Sequence, residues 1–150
     1  MINSPHAVFD LGQFLPYILN QAAEATSRSF QPAYTDAYGM TRTQWRVIAN
    51  LGKFGAMTAK NICDVSHLEK TKVSRAITAL EEQSLLKRET SAEDRRAEVL
   101  QLTTKGKRTF EELGLKAITF DSQLRDQLGE KDAGLLIKAL HKLIALNSTP

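Results

Sequence analysis

Apolar residues along this chain recur mostly every three or four positions, the spacing of one helix face, and in one place every second position, the spacing of a strand. Residues 10–30, DLGQFLPYILNQAAEATSRSF, put Leu11, Phe14, Leu15, Ile18, Leu19, Ala22 and Ala25 on one stripe. This predicts an amphipathic helix that Pro16, lacking an amide donor, starts or kinks. The segment QPAYTDAYG contains Pro32 and Gly39 and reads as a loose connection. Thr41 and Gln44 form a capping-box pattern ahead of a helix bearing Trp45, Ile48 and Leu51, and Gly52 and Gly55 mark its end. Trp45 lies on that stripe and is expected in the core.

Thr58 can cap a short helix, AKNICDV, with Ile62 and Val65 as its apolar members and Cys63 beside them. After SHLE a longer helix is predicted over about 70–84, with Val73, Ile77 and Leu80 at i, i+4 and i+7 and Ala76 between them. Its other side presents Thr71, Lys72, Ser74, Arg75 and Thr78, with no acid before Glu81. A solvated face rich in Glu and Lys would mix both signs; this one offers hydroxyls and cations. LLKRET and AEVLQLT then read as two strands joined by SAEDRR, with Leu100 and Leu102 facing one way. Two helices joined by a tight turn and followed by a hairpin make a winged helix-turn-helix. In such a unit the charged hairpin is a wing, whose basic tip can reach the minor groove or the backbone beside it. Thr103 can cap a long helix bearing Phe110, Leu113, Ala117, Ile118 and Leu124, and a last helix shows Leu136, Ala139, Leu140, Leu143 and Ile144. The helices at both chain ends are amphipathic with no third layer to cover them, so a partner chain is expected to supply it.

Composition changes this picture little. At 150 residues, with 42% hydrophobic and 25% charged residues, the chain has the balance of an ordinary globular protein. The single cysteine cannot form an internal disulfide, residues 1–10 lack the pattern of a signal peptide, and no stretch is apolar enough to span a membrane. A cytoplasmic location is expected. The net charge is +3, but its distribution is uneven: residues 60–108 hold eleven Lys or Arg against eight Asp or Glu, and the rest of the chain holds equal numbers. All the excess positive charge falls on the predicted reading head, where a polyanion would dock. There is no carboxylate pair, phosphate loop, catalytic triad or metal cluster, so neither an enzyme, a cofactor nor a metal is expected.

The segment TQWRVIANLGKFGAMTAKNICDVSHLEKTKVSRAITALEEQSLLKRE, the wing DRRAEVLQLT and the following TKGK resemble the MarR family of bacterial transcriptional regulators. The resemblance covers roughly residues 10–145, and its most specific piece is Asp94-x-Arg96 before a strand ending in LT. It implies a mainly α fold with a small β-wing, in which residues 1–40 and 104–150 form a dimerisation region around a winged helix-turn-helix of residues 41–103. By this match Arg96 enters the minor groove, Asp94 holds the wing by a salt bridge, and Arg95 is a second cation at the tip. The family's ligands tend to bind between the dimer helices and the winged helix, where Tyr17, Tyr34, Tyr38, Trp45 and Arg46 are candidates. Tyr17, Tyr38 and Arg46 are the first choice, for an aromatic or phenolic effector. Two features depart from the family pattern. Glu69 stands where Ser or Asp often caps the second helix, and the N-terminal helix has no cysteine, which disfavours peroxide sensing.

The resulting expectation is a homodimeric regulator, usually a repressor, binding double-stranded DNA at an inverted repeat through Thr71, Lys72, Ser74, Arg75, Thr78, Arg95 and Arg96. The alternative is a winged-helix module for protein assembly, with its basic face unused. Cys63 and His67, at i and i+4, could form a thiol and base pair or two metal ligands, but no second pair of ligands is near in sequence, and Cys63 reads as core. His6 and His141 lack ligand spacing.

Overall fold

The computed structural model describes residues 8–93 and 96–148. The chain divides into two compact units, residues 1–40 and 41–150.

In the first unit a 3₁₀ turn, Leu11–Gln13, precedes helix α1, Leu15–Phe30. The single helix expected over 10–30 is thus broken at Phe14, which is extended, and α1 begins with Pro16 in its first turn. That turn tolerates proline because its amides have no intrahelical acceptor. The segment expected to be loose is instead helix α2, Pro32–Tyr38. Pro32 opens it at a position where the missing amide costs nothing, and Gly39, at φ 63°, closes it in the left-handed conformation.

The second unit opens with α3, Arg42–Phe54, whose capping box is complete: Thr41 accepts from the Gln44 amide, and the Gln44 side chain accepts from the Thr41 amide. The helix passes through Gly52 and ends at Gly55. Gly52 is no terminator; it makes room for the Phe110 ring, which a Cβ there would meet at 2.4 Å. Helix α4, Ala59–Ser66, carries a second capping box, Thr58 with Asn61. Eight residues are too few for a helix to persist alone, so burial of Ile62 holds it in place. The turn after it is made by His67, left-handed at φ 54°. Helix α5, Lys70–Glu82, follows, and Glu69 makes no side-chain capping bond.

Strands β1, Leu86–Thr90, and β2, Glu98–Leu102, pair antiparallel with Leu86 opposite Leu102 and Arg88 opposite Leu100. On its other edge β2 makes one antiparallel bridge, Leu100 with Met57, through bonds of 2.7 and 3.1 Å. Helix α6, Thr104–Leu128, and α7, Glu130–Asn147, complete the chain. The core of this unit joins Val47, Ile48 and Leu51 of α3 to Val73, Ile77 and Leu80 of α5, with Leu86, Leu100 and Leu113. Burying each such side chain contributes roughly 1.5–3 kcal/mol. Trp45, by contrast, is only half-buried, and Val65 is 48% exposed. No helix among the described residues is long and apolar enough to cross a membrane.

The end of α5, the start of the wing and the start of α6 meet at one junction. The Thr103 hydroxyl donates to the Ser84 carbonyl at 2.6 Å and accepts from the Gly106 amide, while the Thr103 amide donates to the Leu85 carbonyl at 3.1 Å. A Cβ on Gly106 would lie 1.9 Å from the Leu85 carbonyl oxygen, a backbone atom that cannot turn aside. Gly106→Ala is therefore expected to destabilise the fold by at least about 1–3 kcal/mol, the usual range for overpacking. A denaturant titration showing unchanged stability would contradict this close approach.

Candidate nucleic-acid interface

Helix α5 separates its residues cleanly. Val73, Ala76, Ile77 and Leu80 are buried, whereas Thr71, Lys72, Ser74, Arg75 and Thr78 are all exposed. From Lys70 to Leu80 the helix contains no acid. Lys72 and Arg75 border the first turn of α3, where with Thr43 and Gln44 they line a shallow cleft of about 220 Å³. Two cations, a hydroxyl and an amide are thus grouped on one open surface.

On the opposite flank of α5, a larger cleft of about 490 Å³ opens between α4, α5 and β1, with Lys60, Cys63, Asp64, Ser74, Ile77 and Arg88 in its walls. Cys63 is therefore a half-buried wall residue of a cleft and not the core residue expected from its spacing. His67 is exposed and is spent on the turn. Among the described residues no group of three or more His, Cys, Asp or Glu could hold a metal.

The wing contains a residue that sequence reasoning missed. Leu86, Arg88 and Thr90 share one face of β1 with Leu100 and Glu98 of β2. Leu86 and Leu100 are buried, and at Arg88 the apolar contact gives way to charge. The Arg88 Nε donates to both carboxylate oxygens of Glu81 at 3.2 and 3.1 Å, Nη1 donates to Glu98 at 3.2 Å, and Nη2 donates to the Thr78 hydroxyl at 3.4 Å. One guanidinium thus joins β1, β2 and the last turns of α5. Partial burial alone would lower its pKa, but the bonds and charges of Glu98 and Glu81 outweigh that effect and raise it. Thr78, expected to face DNA, is exposed but engaged: its hydroxyl donates to the Ser74 carbonyl and accepts from Arg88. The spacing of Thr78 and Glu81 at i and i+3, one helix end away from an arginine on an alternating strand, was the available signal.

At the tip, the Ser91 amide donates to the Ala97 carbonyl at 2.9 Å, closing the hairpin. Arg96 is exposed in the turn. Asp94 and Arg95 lie outside the described residues. Among the effector candidates, Tyr17 and Tyr38 belong to the first unit, as does the buried Tyr34; Arg46 belongs to the second, with Trp45. Tyr17 is 36% exposed, and Tyr38 and Arg46 are half-buried.

Comparison with known proteins agrees with this geometry. Residues 38–97, from the end of α2 to the wing tip, match the sequence profile described as MarR family. Over 149 residues the chain is 29% identical to the HTH-type transcriptional regulator FarR of Neisseria gonorrhoeae, with 97% of both chains covered. Among solved structures, it resembles a MarR/EmrR family transcriptional regulator from Acinetobacter sp. ADP1 at 27% identity and a TM-score of 0.79, covering 90% of this chain and 95% of the other. It is similar at 26% identity, again with a TM-score of 0.79, to NadR in complex with 4-hydroxyphenylacetate, covering 89% of this chain and 96% of that one. With an exposed helix face free of acids held beside a two-stranded wing, and these relatives spanning nearly its whole length, the chain is similar to the MarR family of winged-helix transcriptional regulators, whose profile its residues 38–97 match.

Proposed function

We propose that the protein is a homodimeric repressor that binds an inverted-repeat operator in double-stranded DNA and is released by a small aromatic or phenolic effector. The carrying observation is the α5 face, where Thr71, Lys72, Ser74 and Arg75 are exposed without an acid among them and the opposite side is buried. In this reading α5 enters the major groove, with Arg75 and Lys72 reaching base edges and Thr71 and Ser74 beside them. Arg96 enters the minor groove next to Arg95, and Asp94 supports the tip. Residues 41–103 form the DNA-binding domain, and residues 1–40 and 104–150 the dimerisation region.

Exposed apolar side chains support the dimer. In the first unit Phe9 is 68% exposed, with Leu15 and Ile18 also open; in the second Ile118 is 68% and Leu146 67% exposed. Apolar surface of this extent is what a partner chain would be expected to cover. Two-fold symmetry would then set the two α5 helices roughly 34–36 Å apart, one turn of DNA. Light scattering at micromolar concentration should report a dimer, and a monomer would remove the basis for an inverted repeat.

Arg75→Ala should relax specificity as well as affinity, because a bidentate arginine on guanine contributes roughly 1–3 kcal/mol of base discrimination. A uniform loss across all duplexes would make Arg75 a phosphate contact. Arg96→Ala should weaken binding while leaving Tm nearly unchanged, since an exposed tip adds little to folding. Equal affinity in variant and wild type would remove the wing from the interface.

The effector reading is supported by the phenolic acid bound to NadR and by the aromatic and cationic character of Tyr17, Tyr38 and Arg46. A ligand acts only through its difference in affinity for the two arrangements of the dimer. A coupling of about 1–3 kcal/mol would change operator affinity some 5- to 150-fold, and operator must weaken ligand binding by the same factor. Calorimetry with 4-hydroxyphenylacetate, with and without operator, checks this reciprocity. A ligand whose affinity ignores the operator is not the effector.

A further inference from the structure

We infer that Arg88 is a positioning residue for DNA binding: it never touches the duplex, but it holds the wing at a set angle to α5, so that the helix and the wing tip engage neighbouring grooves together. The inference rests on the proposed DNA-binding reading and adds to it the device that joins its two contact elements.

The geometry isolates Arg88 as that device. Along the inner face of the wing, Leu86 opposite Leu102 is anchored in the core, and Leu100 opposite Arg88 is the last buried residue before the tip. Beyond them Thr90 and Glu98 are exposed, so apolar packing stops at Leu86, four residues before the end of β1, and at Leu100, two residues from the start of β2. A two-stranded ribbon without a packed face is marginal in its orientation, because hinge motion at its base breaks no burial. Helix α5 is under no such freedom, since Val73, Ile77 and Leu80 fix it from behind. Among the described contacts, the Arg88 fork ties the outer wing to α5, gripping Glu81 through Nε and Glu98 through Nη1. The planar guanidinium sets these directions rigidly, whereas a lysine would offer one point charge on a flexible stem.

Thr78 gains a different role from the same contacts. Its hydroxyl donates to Ser74 and accepts from Arg88, which commits the donor and one acceptor lone pair. Thr78 thus transmits the position of the wing to the backbone of Ser74, a residue on the proposed contact face, instead of reading a base.

The test uses full-length protein and the duplex that the wild-type protein selects from a randomised pool. Affinities are measured for Arg96→Ala and Arg75→Ala, each in the wild-type and Arg88→Gln backgrounds. If Arg88 aims the wing, Arg96→Ala loses about tenfold in affinity in the wild-type background but less than about twofold in Arg88→Gln, where the tip is already misplaced. Arg75→Ala should lose the same factor in both backgrounds, because α5 is held independently. Were Arg88 a merely structural residue, or a phosphate contact itself, the loss from Arg96→Ala would keep its full size in Arg88→Gln, and the inference would be overturned. Glu81→Gln, which cuts only the helix side of the fork, should silence Arg96→Ala likewise and serves if Arg88→Gln does not fold; full loss there also overturns the inference. Failure to select any duplex, or an Arg96→Ala variant indistinguishable from wild type in the wild-type background, would instead sink the underlying DNA-binding reading.

Discussion

The close approach of Gly106 to the Leu85 carbonyl is the constraint on which the rest of the second unit depends. Around it, the hydroxyl and amide of Thr103 tie the turn after α5, at Ser84 and Leu85, to the end of the wing and the first turn of α6. Ser84 itself adopts a left-handed backbone at φ 62°, an uncommon conformation for a residue with a side chain. The Ser84 carbonyl receives the Thr103 hydroxyl and the neighbouring Gln83 carbonyl receives the Lys105 ammonium, so the strained turn is held from both sides. Because α6 begins where the wing ends, any rotation of this long helix is applied to the base of the wing with no flexible linker between them.

Much of this was legible because it is local. Each capping box, Thr41 with Gln44 and Thr58 with Asn61, is a pattern of two residues three apart, and the alternation of Leu100 and Leu102 marks the buried face of a strand within five residues. Helix α2 was also legible in principle: Pro32 and Gly39 are breakers inside a helix but signposts at its two ends, and here the second meaning holds. Gly52 misled for a related reason. It looks like a stop signal, but the Phe110 ring that needs its missing Cβ lies 58 residues further along the chain.

The candidate site divides in the same way. Exposure of Thr71, Lys72, Ser74 and Arg75 follows from the burial of Val73, Ile77 and Leu80, because the helical period leaves no other place for them. The Arg88 fork does not follow from any period. Glu81, Arg88 and Glu98 lie on three different elements, and only the crossing of α5 with the wing decides that one side chain can reach both acids. Trp45 and Cys63 show the complementary error: an apolar type on an apolar stripe suggested full burial, but the stripes of α3 and α4 extend past the core, leaving Trp45 half-buried and Cys63 in a cleft wall.

The use of charge at the wing has a consequence for how the head responds to its surroundings. An apolar contact at the position of Arg88 would bury more surface, but burial is nearly indifferent to direction, whereas a fork bonded to two carboxylates defines an angle. Arg88 and its partners are also partly exposed, with side-chain exposures of 35%, 42% and 59% for Arg88, Glu81 and Glu98. Solvent therefore screens the contact and keeps its net contribution to stability small. A link that is directional yet weak holds the wing at one angle to α5 without locking it there. The apolar core behind α5 meanwhile stays intact, so the wing can be re-aimed without unfolding the head that carries it.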